Sequence, residues 1–187
     1  APPMRRRSFL ATPLLLPLLA RAAAVETPVA YPPVTPGRLL EFPRDHGAHA
    51  DFRIEWWYVT GALDAPTADV GFQLTFFRYR PGYAEKLRSP LAARQILLAH
   101  AALSWPGDRL QHSERSARAN LGAHVSSSDC DVAIGAWRLW RTMEGEQEFL
   151  RLQAQSSAFA FDFTLAPTQA LLLQGDSTLN LPALRAL

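Results

Sequence analysis

The chain has 187 residues, of which 48% are hydrophobic and 19% charged, a composition that suits one domain with a sizeable core and excludes a disordered polyelectrolyte. The first 24 residues contain four arginines and no acid. The remaining 163 residues have 15 basic and 17 acidic side chains and therefore carry a formal charge of −2. This charge gives no support to nucleic-acid binding, and we predict no nucleic-acid partner. The single cysteine, Cys130, excludes an internal disulfide and a multi-thiolate zinc site.

Residues 1–24 have the pattern of an export signal. Three arginines precede an apolar run from Phe9 to Ala20, and small residues follow at Ala22-Ala23-Ala24. The segment Arg6-Arg7-Ser8-Phe9-Leu10 resembles a twin-arginine signal. The alternative, a membrane-anchoring helix, is weakened because two prolines interrupt the run and it is too short to span a bilayer. We therefore expect a signal peptide over residues 1–24 and a periplasmic location.

Residues 25–43 are rich in proline and predict an extended segment. Residues 44–176 form the expected folded domain. Residues 177–187 have no strong pattern, and we expect them to be a divergent tail, either a true terminus or the end of a truncated reading frame.

The folded domain reads as a series of β-strands. Residues 51–63 alternate between two sets, with Trp56 and Tyr58 on one side and Glu55 and Trp57 on the other. Further strands bounded by turn residues are predicted at 71–80, 95–105, 109–118, 132–142, 148–155 and 158–165, with an eighth starting at 171–174. Residues 143–146 predict a hairpin turn, and residues 84–95 are either one short helix or a long loop.

Strands joined by short turns predict an all-β fold. We expect an antiparallel, lipocalin-like barrel, an up-and-down meander of seven to eight strands that is incomplete if the C-terminus is truncated. A barrel of this size has room for one small ligand.

Several segments resemble the AttH-like/carotenoid 1,2-hydratase family. Members carry a histidine shortly before a Glu-Trp-Trp-Tyr-x-Thr-Gly strand, and here His49 precedes Glu55-Trp56-Trp57-Tyr58-Val59-Thr60-Gly61. The resemblance continues in the same order, from about Phe42 to Asp176, through segments 71–78, 98–103, 112–115 and 167–176.

This resemblance implies a lipocalin-like fold in two related halves with an apolar ligand cavity. It also implies a hydro-lyase activity, the addition of water to a carbon–carbon double bond of an acyclic carotenoid. The residues implicated in that reaction lie in the family's second half, around an Asp-His-Glu-Trp motif that this sequence does not contain. Whether the chain is an enzyme therefore stays open, and no catalytic residue is carried over by motif.

Glu55 and His49 are the candidate catalytic residues. A carboxyl group beside two tryptophans in an apolar pocket has a raised pKa and could protonate an alkene, the difficult step of hydration. The alternative is a structural ion pair between Glu55 and an arginine, with Arg53 and Arg115 as candidates.

Aromatic side chains supply the candidate ligand-binding site. The phenylalanines at 159, 161 and 163 have a spacing of two and predict one apolar stripe. His100 lies in an apolar strand, where a hydrogen-bonded core histidine is the alternative. The candidate ligand-binding residues are Trp56, Trp57, Tyr58, Phe72, Phe76, His100 and Phe161.

No metal or cofactor is predicted. His112 and Glu114 lie two residues apart and His100 could lie near them, but zinc-ligand spacings are absent. There is no glycine-rich phosphate loop and no Gly-x-Ser-x-Gly elbow. Cys130 stands between Asp129 and Asp131, which raise the pKa of its thiol and predict a structural role.

Three functional hypotheses follow. The first is an exported domain that binds an apolar lipid- or isoprenoid-like molecule. The second is a hydratase that uses Glu55 as its acid. The third is a non-catalytic periplasmic partner of an envelope transporter. A second lipocalin-like half or a second copy of the chain is a further expected partner, because an uncovered barrel edge invites pairing.

Overall fold

The structure is a computed structural model and describes residues 29–64, 69–107, 110–174, 179–180 and 184–186. The expected signal peptide and most of the expected tail lie outside these residues. Within them, no helix has the length and hydropathy needed to cross a bilayer.

The described residues form twelve β-strands and one short 3-10 turn at Arg44–His46. The strands are β1 (Ile54–Leu63), β2 (Val70–Tyr79), β3 (Ile96–Ser104), β4 (Gln111–Ala119), β5 (Gly122–Val125), β6 (Asp131–Ile134), β7 (Trp137–Glu144), β8 (Gln147–Gln155), β9 (Ala160–Pro167), β10 (Leu173–Gln174), β11 (Leu179–Asn180) and β12 (Leu184–Ala186).

The first nine strands follow one another across a single sheet in chain order, and β12 adds a tenth strand beside β9. Neighbours are antiparallel except β4 and β5, which share only two parallel residue pairs across the sharp bend at Asn120. Strands β10 and β11 form a separate two-stranded sheet. The sheet curls into a half-barrel, and the predicted all-β antiparallel fold is confirmed.

The structure differs from the local predictions in two places. The segment 132–142 is not one strand but the hairpin β6–β7, because Gly135 adopts a left-handed φ of +57° that reverses the chain. Strand β5 was not predicted, since four residues are too few for a clear periodic pattern. Of the two alternatives predicted for residues 84–95, the structure has the long loop, and the predicted turn around Gly145 is also confirmed.

The core fills the inside of the curl. Strand β2 shows how the pattern produces it. Phe72, Leu74 and Phe76 occupy alternate positions, point into the curl and are nearly inaccessible, and the outward Thr75 is buried as well. Strands β6–β9 contribute the opposing wall, with Trp137 fully buried. The interior is packed by side chains from both walls, which gives the two arms of the sheet one common core.

The outer face of the sheet differs between its two arms. On β6–β9 the outward side chains are mainly polar, and Arg138 pairs with Asp131 while its guanidinium lies 4.8 Å from the ring centre of Trp140. On β1–β3 the outward row is apolar, with Trp56, Phe77 and Leu98 in register on adjacent strands. Trp56 is 48% exposed.

Candidate functional site

The candidate catalytic pair lies where the loop before β1 meets the first two strands. Residues 44–53, here termed the capping loop, run from the 3-10 turn into β1. At one side the loop contacts the β5–β6 connection, where Ala48 donates a 2.8 Å hydrogen bond to the Ser126 carbonyl. Gly47 allows this approach, because a Cβ there would lie 2.7 Å from the Ser127 backbone. At the other side, Trp57 donates from Nε1 to the His46 carbonyl at 2.9 Å.

The structure brings His49 and Glu55 together. The Glu55 carboxylate accepts hydrogen bonds from the His49 backbone N–H at 2.9 Å and lies 2.7 Å from His49 Nδ1. The other ring nitrogen, Nε2, lies 2.9 Å from Asp45 Oδ1. The His49 ring therefore lies between two acidic side chains, within hydrogen-bond distance of both.

Glu55 pairs with Arg78, not with Arg53 or Arg115 as the sequence suggested. Arg78 Nε donates to Glu55 Oε2 at 2.8 Å, and the Arg78 side chain is fully buried. Arg53 instead lies 5.9 Å from the ring centres of Tyr31 and Tyr79. Arg115 lies over Trp137 and donates to the Gln155 carbonyl.

Arg78 also holds the capping loop. Its guanidinium donates to the carbonyls of His49 at 3.0 Å, Phe52 at 2.9 Å and Ala50 at 3.4 Å. One buried cation therefore matches a carboxylate and three backbone acceptors, which satisfies the requirement for burying a charge. With both Glu55 oxygens occupied as acceptors, these contacts favour the structural ion pair over the proton donor.

Asp45 also holds the capping loop, through hydrogen bonds to its side chain. Its side chain is almost inaccessible and accepts from the Glu41 backbone N–H at 2.7 Å and from Arg44. Burial raises the pKa of Asp45, but hydrogen bonds from Glu41, Arg44 and His49 and the nearby charge of Arg38 outweigh that effect and hold the pKa well below its usual value.

The predicted ligand-binding residues divide between the two faces of the sheet. Trp57, Phe72, Phe76 and Phe161 point into the curl and belong to the core or pack against it. The other three, Trp56, Tyr58 and His100, lie on the outer face, as the alternating pattern of β1 and β3 requires. These seven residues therefore do not form one pocket.

The phenylalanines of β9 and the residue before it form an aromatic track on the inward face. Phe159, Phe161 and Phe163 stack nearly parallel, with ring centres 6.0 and 5.0 Å apart. Phe163 also meets Phe72 of β2 edge to face at 5.0 Å. Phe72 packs in turn beneath Gly61 of β1, where a Cβ would lie 3.1 Å from its ring. The track thus leads from β9 across the interior towards β1. The region of the inner face between these two strands is termed the seam, and β12, which pairs with residues 165–167 of β9, ends the sheet on that side.

Apolar side chains at the seam are only half covered. Trp57 and Leu63 from β1, Val70 from β2 and Phe163 from β9 are partly buried and pack against the core. Strand β1 forms one end of the sheet. The inward wall is therefore reachable from this side.

One shallow concavity lies on the outer face, and another lies at the end of the β8–β9 hairpin. One, of about 180 Å³, is lined by His100, His112 and Glu114 together with Gln73 and Leu110. His100 Nε2 lies 3.9 Å from Glu114 Oε1. Across the described part of the chain, no three potential metal ligands cluster. The other, of about 380 Å³, lies along β8 and β9 beside Gln153 and Asp162.

Cys130 is buried, and burial with the charges of Asp129 and Asp131 raises the pKa of its thiol to about 12. The predicted direction is confirmed, although burial is the larger cause. Such a thiol is a poor nucleophile at neutral pH.

Sequence reasoning missed Arg78 and Asp45. Arg78 was within reach, because it continues the inward series Phe72, Leu74 and Phe76 at a spacing of two. A charged residue at such a position needs a buried counter-ion, and Glu55 lies directly opposite it on β1. Asp45 carried no comparable signal, since it lies in an irregular loop.

The comparison with protein families assigns the chain. The family model described as AttH-like matches residues 33–181. The chain belongs to the AttH-like family. No curated protein matches it significantly.

A solved AttH-like structure resembles the chain over most of its length. It is the crystal structure of NE1406 from Nitrosomonas europaea, a protein assigned as AttH, with 42% sequence identity and a TM-score of 0.66. The match covers 78% of this chain but 43% of that protein. This AttH-like chain thus spans less than half the length of the solved relative.

Proposed function

We propose that this AttH-like chain is an exported domain that binds an apolar, lipid- or isoprenoid-like molecule along the seam between β1 and β9. The observation that carries the proposal is the aromatic track. Four rings, those of Phe159, Phe161, Phe163 and Phe72, follow one another at 5.0 to 6.0 Å, and Phe163 at the seam is only half buried. A continuous apolar wall of this kind suits an extended hydrocarbon.

The charges around the wall support the same function. Arg78 is fully buried, the Glu55 carboxylate balances its charge, and the capping-loop carbonyls accept its other hydrogen bonds. An apolar ligand at the seam would therefore meet no unpaired charge from this pair. The core is packed, so the ligand would lie along the seam rather than inside a closed barrel.

Hydration of a double bond is not our proposal for this chain. The only acid that the sequence nominated, Glu55, accepts hydrogen bonds from His49 and Arg78 through both oxygens. A group that must donate a proton to an alkene needs a free protonated oxygen facing the substrate. A role beside an envelope transporter is the alternative proposal, and a chain that binds no apolar molecule would favour it.

Binding can be tested with a fluorescent fatty acid. The purified chain is titrated with cis-parinaric acid, alongside Phe163→Ala and the matched control Asp162→Ala, whose side chain lies one residue away on the opposite, exposed face. We expect saturable binding that weakens about tenfold or more in Phe163→Ala, because an aromatic contact is lost, and that is unchanged in the control.

Some results of this titration would contradict the binding proposal. Circular dichroism must show that both variants are folded. Equal affinities for the wild type and Phe163→Ala, or no saturable binding by the wild type, would contradict the seam proposal. Native mass spectrometry of chain purified from the periplasm would then reveal whether any small molecule is retained.

Export is proposed separately from binding. Cells that express the 187-residue chain are fractionated, and the periplasmic fraction is compared with that of an Arg6→Lys, Arg7→Lys double variant. We expect the wild type in the periplasm and the variant in the cytoplasm, since the twin-arginine pair is the recognised feature. Equal distribution of both proteins would overturn the proposal.

A further inference from the structure

We propose that Arg115 binds an anionic head group of the ligand, so that the ligand is a long-chain amphiphile with a carboxylate or phosphate group rather than a neutral hydrocarbon. The inference rests on the proposed function, because it assigns the head-group site for a chain that lies along the aromatic track. The cation concerned faces the interior, lies at the start of the track and contacts a backbone carbonyl rather than a carboxylate.

The Arg115 side chain points into the curl from β4. In the β3–β4 register Arg115 lies opposite Ala99, which is fully buried in the core, and directly opposite residues share a face of the sheet. The centre of the guanidinium lies 4.8 Å from the ring centre of Trp137, which is also fully buried. Arg115 itself is half buried. Its cation therefore lies at the rim of the core, where the polar end of a ligand stays close to water.

The same guanidinium lies at the end of the β8–β9 hairpin where the aromatic track begins. Its Nη2 donates to the Gln155 carbonyl at 2.9 Å, and Trp137 Nε1 donates to that carbonyl at 2.7 Å. Gln155 pairs with Ala160, the residue between Phe159 and Phe161. The rings of the track then continue towards β2. An anionic group held here would have its hydrocarbon chain beginning beside the track.

Arg115 differs from two other inward-facing arginines in having no acidic partner. Arg78 pairs with Glu55 at 2.8 Å, and Arg141 pairs with Asp129 at 2.7 Å. In the described part of the chain, no carboxylate oxygen forms an ion pair with Arg115, whose acceptor is a single backbone carbonyl. Charges at the edge of a core are normally paired, so this cation is available to a charged group of opposite sign.

The guanidinium accommodates an anion without losing its present contact. Arginine has five N–H donors, and the Gln155 carbonyl engages Nη2. Nη1 lies towards the β6–β7 turn at Gly135, where a Cβ would come within 3.3 Å of it and glycine supplies none. The fork of the remaining N–H groups matches the oxygens of a carboxylate or phosphate, and apolar surroundings strengthen the attraction. A neutral hydrocarbon would gain nothing from this cation.

Cis-parinaric acid and its uncharged methyl ester test the head-group site. Both fluorescent probes are titrated at neutral pH, where the acid is ionised, into the wild type, Arg115→Gln and the control Arg118→Gln. Arg118 lies on the outward side of the same strand and likewise donates to one backbone carbonyl, that of Leu91.

The acid and the ester should be distinguished by Arg115 alone. We expect the wild type and Arg118→Gln to bind the acid at least about tenfold more tightly than the ester, as for hydrogen bonds to a charged group. Arg115→Gln should bind the acid as weakly as the ester and keep the wild-type affinity for the ester.

Competition identifies the head group. Palmitate, hexadecyl phosphate and hexadecanol carry the same alkyl chain, and each is used to displace cis-parinaric acid from the wild type. At least one of the two anions should compete about tenfold more strongly than hexadecanol, and the stronger anion names the source of the charge. Equal competition by all three compounds would overturn the head-group site.

The titrations also separate this site from binding along the track. No saturable binding of either probe to the wild type would contradict both proposals. Saturable but equal binding of acid and ester by the wild type would overturn the head-group site alone. Weaker binding of both probes by Arg115→Gln would also overturn it, since that pattern indicates a structural role. If circular dichroism shows that Arg115→Gln is unfolded, the wild type decides: its preference for the acid should fall as the salt concentration rises, and a preference that salt leaves unchanged would overturn the site.

Discussion

The inward and outward sides of strand β1 differ in how completely their side chains are partnered. Inward, Glu55 and Trp57 make hydrogen bonds to Arg78, His49 and His46. Outward, Ile54 and Trp56 remain about half exposed. A single Glu-Trp-Trp-Tyr segment therefore contributes one side to the stability of the domain and leaves the other available for contact, because alternate side chains of a strand face opposite directions.

The largest expected effect is that of Arg78→Met on the inward side. The substitution removes the cation, leaves the buried charge of Glu55 unbalanced and leaves three loop carbonyls without the Arg78 donor. Breaking a buried pair in this way costs about 3–5 kcal/mol, to be measured as the free energy of unfolding in urea.

The matched control for Arg78→Met is Arg138→Met. Arg138 makes a bidentate pair with Asp131, but on the outer face where its side chain is 42% exposed. Exposed pairs contribute about 0–1 kcal/mol, so the control should be nearly as stable as the wild type. Equal losses in the two variants would show that burial of Arg78 carries no special weight.

The second prediction concerns Trp57. Trp57→Ala should lower the free energy of unfolding by about 2–3 kcal/mol, less than a fully buried aromatic, because the ring is half buried and also bonds to the His46 carbonyl. Trp57→Phe keeps an aromatic ring and loses only the hydrogen bond, so about 1 kcal/mol is expected. If both substitutions cost the same, packing of the ring contributes little.

The third prediction is a pH dependence carried by Asp45. Its folded-state pKa lies below the unfolded value, so its contribution to stability is complete above about pH 4. The contribution is lost as the pH falls further and the carboxylate is protonated. Asp45→Asn cannot titrate, so its stability should change less than that of the wild type between neutral and acid pH.

A pH series tests whether the charge of Asp45 stabilises the capping loop. Urea unfolding is measured for both proteins at neutral pH and at several values below about pH 4. We expect the difference between them to shrink as the pH falls. A constant difference would mean that the charge of Asp45 does not stabilise the capping loop.

Periodicity predicted the fold well where strands are long. The alternation of residues 51–63 and 71–80 corresponds to β1 and β2, and proline and glycine marked most turns. It failed at β5 and β6, because strands of four residues leave too few positions to establish a period. It also failed at Gly135, whose left-handed conformation reverses a run that looks continuous in the sequence.

The candidate site was predicted only in part, because its contacts depend on strand register and on which face of the sheet points inward. Motif and pattern placed His49 near Glu55, and the structure brings them into contact. The seven ligand-binding candidates share aromatic or apolar character but not a face, and sequence alone does not say which face of a curled sheet is the inside. The pairing of Glu55 with Arg78 depends on the β1–β2 register, which a hairpin with a long connection leaves undefined.

The smallest expected effect, that of Trp56→Ala, tests the outward side of β1. The substitution should change the free energy of unfolding by no more than about 0.5 kcal/mol, as for a surface position without special contacts. Urea unfolding of the wild type and the variant measures this difference. A loss of about 2 kcal/mol or more would mean that the outward tryptophan already packs within one chain, so that both sides of β1 would contribute to the stability of the domain.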